Sequence, residues 1–234
     1  MHLKKSVNQF LKMNNFYKLK GISGVICFGD SILAGIGASD RQFGCAKLVK
    51  ASLCVPVSLR GRNRDTSLLG LKRIESNVLD QKNYSHVVVL FGNNDSWVDE
   101  NGKPYISLEQ FEVNMNKILD LIEDNGQVAT VCNLQPLDIV RFTKVFPAVF
   151  KVTEKVGVDP VQWQKKYSDC IKAICHRRKN FFINIREPLN EDILTTISSD
   201  GIHPNDKGHR IIADCIISAL SRIDSSLQFV SQSF

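Results

Sequence analysis

A serine, a histidine, a carboxylate and an amide stand in four short polar clusters of this chain, three of them directly after strand-like runs. Gly29-Asp30-Ser31 follows Val25-Ile26-Cys27-Phe28, Arg60 to Thr66 follows a run ending at Leu59, and Gly92-Asn93-Asn94-Asp95 follows His86 to Phe91. The fourth, Ser199-Asp200-Gly201-Ile202-His203-Pro204, lies near the carboxyl end. Brought together, these are the parts needed for acyl transfer. A serine hydroxyl is too weakly acidic to attack a carbonyl unaided, so a neutral imidazole must take its proton. Asp200 precedes His203 by three residues in a tight turn containing Gly201. That spacing lets the carboxylate accept from one ring nitrogen while the other faces Ser31. The Asn94 side-chain amide can donate to the developing oxyanion, with backbone N–H groups of Ser31 and of the 61–64 loop as further donors. Taken by itself, the Asp30-Ser31 pair would serve as well to cap a following helix.

The other titratable candidates lack such company. His2, His176 and His209 stand apart from any carboxylate turn of this kind, and His86 opens an apolar strand and reads as structural. Glu187 also follows a strand, but no second carboxylate stands beside it, which leaves paired-carboxylate glycosidase chemistry little support.

Residues so far apart in sequence can meet only on a shared rim, and the carboxyl ends of parallel strands form one. The apolar patterning predicts strands over 25–28, 54–59, 86–91, 127–133 and 181–185. Pro56 argues for an edge position in the second of these. Helical spacing predicts helices over 41–53, 68–78, 163–178 and 205–223. Another opens on a capping box of Ser107 and Gln110 and ends at Asn125-Gly126. Between Pro136 and Pro160 the pattern loosens, although Phe142, Phe146, Val149 and Phe150 could share one face of a single amphipathic helix. Such a helix either faces the core or forms an apolar lid or acyl-pocket wall. Strands alternating with helices imply a parallel sheet covered on both faces, and no repeat or linker interrupts residues 21–234.

At 234 residues and 43% hydrophobic content the chain can bury one full core. Its seven cysteines are an odd number without a CxxC pair, so reduced thiols in a reducing, cytoplasmic setting are expected. Cys170, Cys175 and His176 fit no strong zinc spacing, and neither metal nor cofactor is expected. No stretch of 18 apolar residues exists that could span a membrane. Residues 1–20 hold five lysines and no acid, so of the chain's net charge of +6 only +1 belongs to the body. A near-neutral body argues against a nucleic-acid face. The basic leader should form a weakly amphipathic helix packed on the domain, contact with an anionic membrane surface being the lesser alternative.

Phe28-Gly29-Asp30-Ser31, Gly92-Asn93-Asn94-Asp95 and Asp200-Gly201-Ile202-His203-Pro204 together resemble ordered blocks of the SGNH, or GDSL, hydrolases. The resemblance runs from about residue 24 to 220. It implies a flavodoxin-like three-layer α/β/α sandwich with a five-stranded parallel sheet. It also implies metal-independent hydrolysis of a small-molecule ester or thioester. By this similarity Ser31 is the nucleophile, His203 the base, Asp200 its orienting acid and Asn94 an oxyanion-hole donor. One block departs, because the family's glycine before an Asp-Thr pair is here Arg64, before Asp65-Thr66. Either the Arg64 backbone N–H donates while its side chain meets an anionic part of the substrate, or a shifted loop makes Gly61 the donor. The alternative functions are a degenerate member that binds acylated ligands without turnover and a nucleotide-binding module. The second of these lacks both G-x-G-x-x-G and GK[ST].

Overall fold

Strands buried on both faces lose the alternation of a half-exposed sheet and read as continuous apolar runs. β1 (Val25–Gly29) and β3 (His86–Leu90) are of this kind, buried along their whole length. With β2 (Val57–Gly61), β4 (Val128–Cys132) and β5 (Phe181–Ile183) they form a parallel sheet of order β2-β1-β3-β4-β5. The order reverses between β1 and β3, which opens a crevice at their carboxyl ends. The structure is a computed structural model describing residues 17, 19–155, 157 and 159–231, with side chains as far as 224. Except for residues 17, 19 and 20, the leader helix expected over 1–20 lies outside the described residues.

Helices cover both faces of the sheet. α1 (Cys45–Ser52) packs against the long α9 (Asp206–Ser231) in one layer. α2 (Ser67–Ile74), α3 (Leu108–Asp124) and α6 (Pro160–Arg178) lie side by side in the other. Ser107 caps α3 by accepting from the Gln110 backbone N–H at 3.2 Å, and Phe111, Met115, Ile118, Leu119 and Ile122 form its buried stripe, as their spacing predicts. No helix among the described residues is long and apolar enough to cross a membrane. All seven cysteines carry free thiols, with Cys27 and Cys132 in the core.

Several boundaries differ from the sequence expectation. β2 does occupy an edge, but it starts after Pro56, whose carbonyl accepts from the Val25 N–H at 2.9 Å. The helix expected over 41–53 is a 3₁₀ turn (Arg41–Phe43) and α1, parted at Gly44. That expected over 68–78 continues past α2 as a π turn, Glu75–Leu79. Residues 136–160 do not form one helix. α4 (Ile139–Val145) and α5 (Pro147–Lys155) break at Phe146, because proline restricts the residue before it and has no N–H to donate. After β5, Asn133 Oδ1 accepts from the N–H groups of Ile185 (2.8 Å) and Arg186 (3.2 Å), ending the strand. α7 (Arg186–Asn190) and α8 (Ile193–Thr196) follow; neither carries a helical stripe long enough to recognise.

Gly61 closes β2 against the turn that leaves β1. A Cβ there would lie 2.3 Å from the backbone nitrogen of Ala34 and the carbonyl carbon of Leu33. Backbone cannot step aside as a side chain can, so Gly61→Ala must push the turn after β1 away from the end of β2. The expected cost is about 1–3 kcal/mol, seen as a lower urea midpoint at unchanged slope. An unchanged midpoint would show that the turn is free to move.

Candidate active site

β1 delivers its chain directly into the crevice. The Asp30 N–H still donates to Leu90 O at 3.1 Å, so the sheet holds the backbone one residue beyond the strand. Asp30 is fully buried and accepts from the Ile32 N–H and from Asn93 Nδ2, each at 3.0 Å. Burial pushes its carboxyl up to about 7 against the pull of those donors and of His203. Residues 31–37 form turns rather than a helix. With no helix there to cap, the capping alternative falls away: Asp30 closes a turn at the Ile32 N–H, and the Ser31 hydroxyl faces an imidazole.

That imidazole is His203, whose Nε2 lies 3.0 Å from Ser31 Oγ and whose Nδ1 lies 2.6 Å from Asp200 Oδ2. Asp200 Oδ1 accepts from the N–H groups of Ile202 (2.8 Å) and His203 (2.9 Å) and from Ser198 Oγ (2.8 Å). Partial burial alone would raise this carboxyl. The His203 ring and the backbone donors outweigh it and hold the group well below the usual carboxylate range. An ionised acceptor fixes the proton on Nδ1, which leaves Nε2 as the nitrogen able to accept from Ser31. The turn is itself clamped: the N–H of Asp138 donates to Gly201 O at 2.9 Å, and Gln135 Nε2 donates to Ile202 O at 3.2 Å.

The loop after β2 and the loop after β3 complete the rim. Asn94 Nδ2 donates to Asp65 O at 2.9 Å, which orients the amide and spends one of its two N–H donors. Arg64 lines the cleft at φ 65°, a left-handed conformation that disfavours any side chain. Among the described residues, neither its N–H nor that of Ser31 meets an acceptor. Gly61 is packed against the turn after β1, whereas Arg64 lines the same cleft as Ser31. The cleft encloses about 570 Å³.

A smaller apolar chamber opens beside it, sharing Asn93, Trp97 and Ile202 with the cleft. Phe142 on α4, Val149 on α5 and Trp163 on α6 line it. Trp97 meets Phe142 and Phe146 edge-on, with centroids 5.9 and 5.2 Å apart. Its polar lining is already occupied. Trp163 Nε1 donates to Ser96 O (2.9 Å), Ser96 Oγ to Asn93 O (2.9 Å) and Thr153 Oγ1 to Phe150 O (2.8 Å). The chamber measures about 40 Å³, room for roughly three or four non-hydrogen atoms.

Other residues support this rim without a motif to announce them. Arg73 reaches back from α2, with Nε 2.5 Å from Asp65 Oδ2, Nη2 3.0 Å from Gly29 O and its guanidinium 4.5 Å above the Phe28 ring. Asp95, pushed up to about 6 by burial, accepts from the Ser67 N–H at 3.0 Å and from the Ser67 hydroxyl, so the third cluster caps α2. Gln164 Nε2 donates to Asn93 Oδ1 at 3.1 Å, and Arg186 donates to Gln164 Oε1 at 2.7 Å. His209 is a satisfied core residue, with Nδ1 accepting from the Cys45 N–H at 3.3 Å and Nε2 donating to Ile36 O at 3.0 Å. Burial pushes it down to about 4. His86 is likewise buried, its Nδ1 2.9 Å from Ser85 Oγ, away from the cleft.

Comparisons with known proteins bear on the family and the fold. A model of the GDSL-like lipase/acylhydrolase family matches residues 27–211. A lipase/acylhydrolase from Enterococcus faecalis superposes with a TM-score of 0.66 at 20% identity, over 87% of this chain and 96% of that one. A GDSL-like lipase from Bacteroides thetaiotaomicron also gives 0.66, at 18% identity and 94% and 97% coverage. An acetylxylan esterase from Geobacillus stearothermophilus gives 0.63, at 16% identity and 85% and 94% coverage. At these identities the likeness speaks for the fold. A search of curated proteins by sequence finds no match.

The Asp30 environment sets a pH dependence whose sign can be worked out. An aspartate that titrates near 4 when unfolded and at about 7 when folded keeps its proton longer in the native state. The ionised form therefore costs the fold progressively more as pH rises from about 4 to about 7, and the cost is constant above that. Asp30→Asn removes it. The stability of Asp30→Asn relative to wild type is expected to climb across this window in urea titrations. A difference independent of pH would contradict the assignment.

Proposed function

Because the chain belongs to the GDSL-like lipase/acylhydrolase family, we propose that it is a serine hydrolase of carboxylic esters, with thioesters open to the same route. The observation that carries the proposal is the continuous string Ser31–His203–Asp200, with unpaired N–H groups of Ser31 and Arg64 beside it. Ser31 Oγ attacks the carbonyl carbon as its proton passes to His203 Nε2. Asp200 holds the ring and stabilises the imidazolium. The N–H groups of Ser31 and Arg64 and the remaining Asn94 amide proton receive the charge that develops on the carbonyl oxygen. The imidazolium then protonates the leaving oxygen or sulfur, and water repeats the sequence on the acyl-enzyme. A binding-only role would leave this donor set without a purpose.

The apolar chamber, with its polar atoms already occupied, suits the acyl chain of the substrate. Its size favours a short chain, near butanoyl, because a longer one must return to water or force α4 and α5 apart. We further assign the protein to a reducing setting, in keeping with its seven free thiols.

Hydrolysis of a 4-nitrophenyl ester series from acetate to palmitate tests both parts. Turnover is expected to peak near butanoate and to fall on acidification, since a protonated imidazole cannot accept from Ser31. Ser31→Ala and His203→Ala should each lower kcat at least about a thousandfold with little change in urea midpoint. Substantial turnover by Ser31→Ala would reject the nucleophile. A maximum at palmitate would reject the chamber as the acyl site.

A further inference from the structure

Among the described residues lining the cleft, Arg64 brings the one permanently charged side chain, and none is a carboxylate. Nearby acids are already engaged. Asp65 is paired with Arg73 at 2.5 Å and flanked by Arg62 at 3.8 Å, and Asp200 with His203. Among the described residues the Arg64 guanidinium has no hydrogen-bond or ion-pair partner. General basicity does not explain the charge, since the chain beyond residue 20 carries only +1. Nor does the backbone, because φ 65° would suit glycine better and glycine presents the same N–H. Exposed on the cleft wall and without a partner among the described residues, the Arg64 guanidinium is free to meet an anion on a substrate held beside Ser31.

We propose that Arg64 is a specificity-determining residue that binds an anionic group on the alcohol or thiol portion of the substrate. The proposal rests on the hydrolase reading above. Since the apolar chamber takes the acyl chain, the guanidinium is left to the other side of the scissile bond. Its backbone N–H meets the carbonyl oxygen, so its side chain spans the distance from that carbonyl to the anion. The anion must therefore stand a few bonds from the ester, within one arginine's reach. A carboxylate or a phosphate meets the guanidinium in the same bidentate way. The substrates are short-chain acyl esters of small anionic alcohols or thiols, rather than neutral lipids.

Matched probes separate the outcomes. 4-Butanoyloxybenzoate and 4-butanoyloxybenzamide differ in charge on the leaving group, while mono-4-nitrophenyl succinate and 4-nitrophenyl pentanoate differ in charge on the acyl group. Rates are corrected for uncatalysed hydrolysis. Wild type is expected to prefer the benzoate over the benzamide by about tenfold or more in kcat/KM, the scale of one charge-assisted contact. The preference should shrink with added salt, vanish in Arg64→Gly and persist in part in Arg64→Lys. A preference only within the succinate pair would overturn the placement of the anion on the leaving group. No preference in either pair, or one that survives in Arg64→Gly, would overturn the role of Arg64 while leaving the hydrolase reading intact. Absence of hydrolysis of all four, with no phosphonate adduct on Ser31, would instead sink that reading and this one with it.

Discussion

The largely buried guanidinium of Arg73 is the tie on which the rim depends. It bonds the last carbonyl of β1 and the carboxylate of Asp65, and it lies over the Phe28 ring. Asp65 is itself buried, so removing Arg73 would strand a carboxylate in a setting that cannot solvate it. The consequence spreads along the chain. Asp65 offers its own carbonyl to Asn94, and Arg64 immediately precedes it. One cation therefore sets the relative positions of the β1, β2 and β3 loops, which carry Ser31, Arg64 and Asn94.

A second layer of polar contacts works by neutral amides rather than charge. Asn93 stands between Asp30 and Gln164, and Gln164 between Asn93 and Arg186. Each amide donates on one side and accepts on the other, so a buried chain of hydrogen bonds links the floor of the cleft to α6 and α7. Arg186 ends this chain on oxygens that bear no full charge, the carbonyls of Gln135 and Leu134 among them. Satisfied polar networks of this kind hold side chains in one geometry, which suits a hydroxyl held within hydrogen-bond reach of an imidazole.

How much of this was legible in the sequence follows from the range of each interaction. The central strands announce themselves as short apolar runs, and the turn holding Asp200 and His203 is local, so both can be read directly. The meeting of Ser31 with His203 required only the assumption of a parallel sheet. Arg73 could not be foreseen, because its partners lie 8 and 44 residues away and nothing in its own helix marks it. Reading one helix through 136–160 failed because the apolar spacing of Phe142, Phe146, Val149 and Phe150 continues across Pro147, where the backbone does not. The replacement of glycine by Arg64 was visible as a departure. Its left-handed backbone and its place in the cleft needed the fold.

The contact between Ser31 and His203 spans 172 residues, nearly three quarters of the chain. Ser31 stands just past the first strand, and His203 comes only shortly before the final helix. Both ends of the domain must therefore be in place before this hydroxyl and this imidazole can meet.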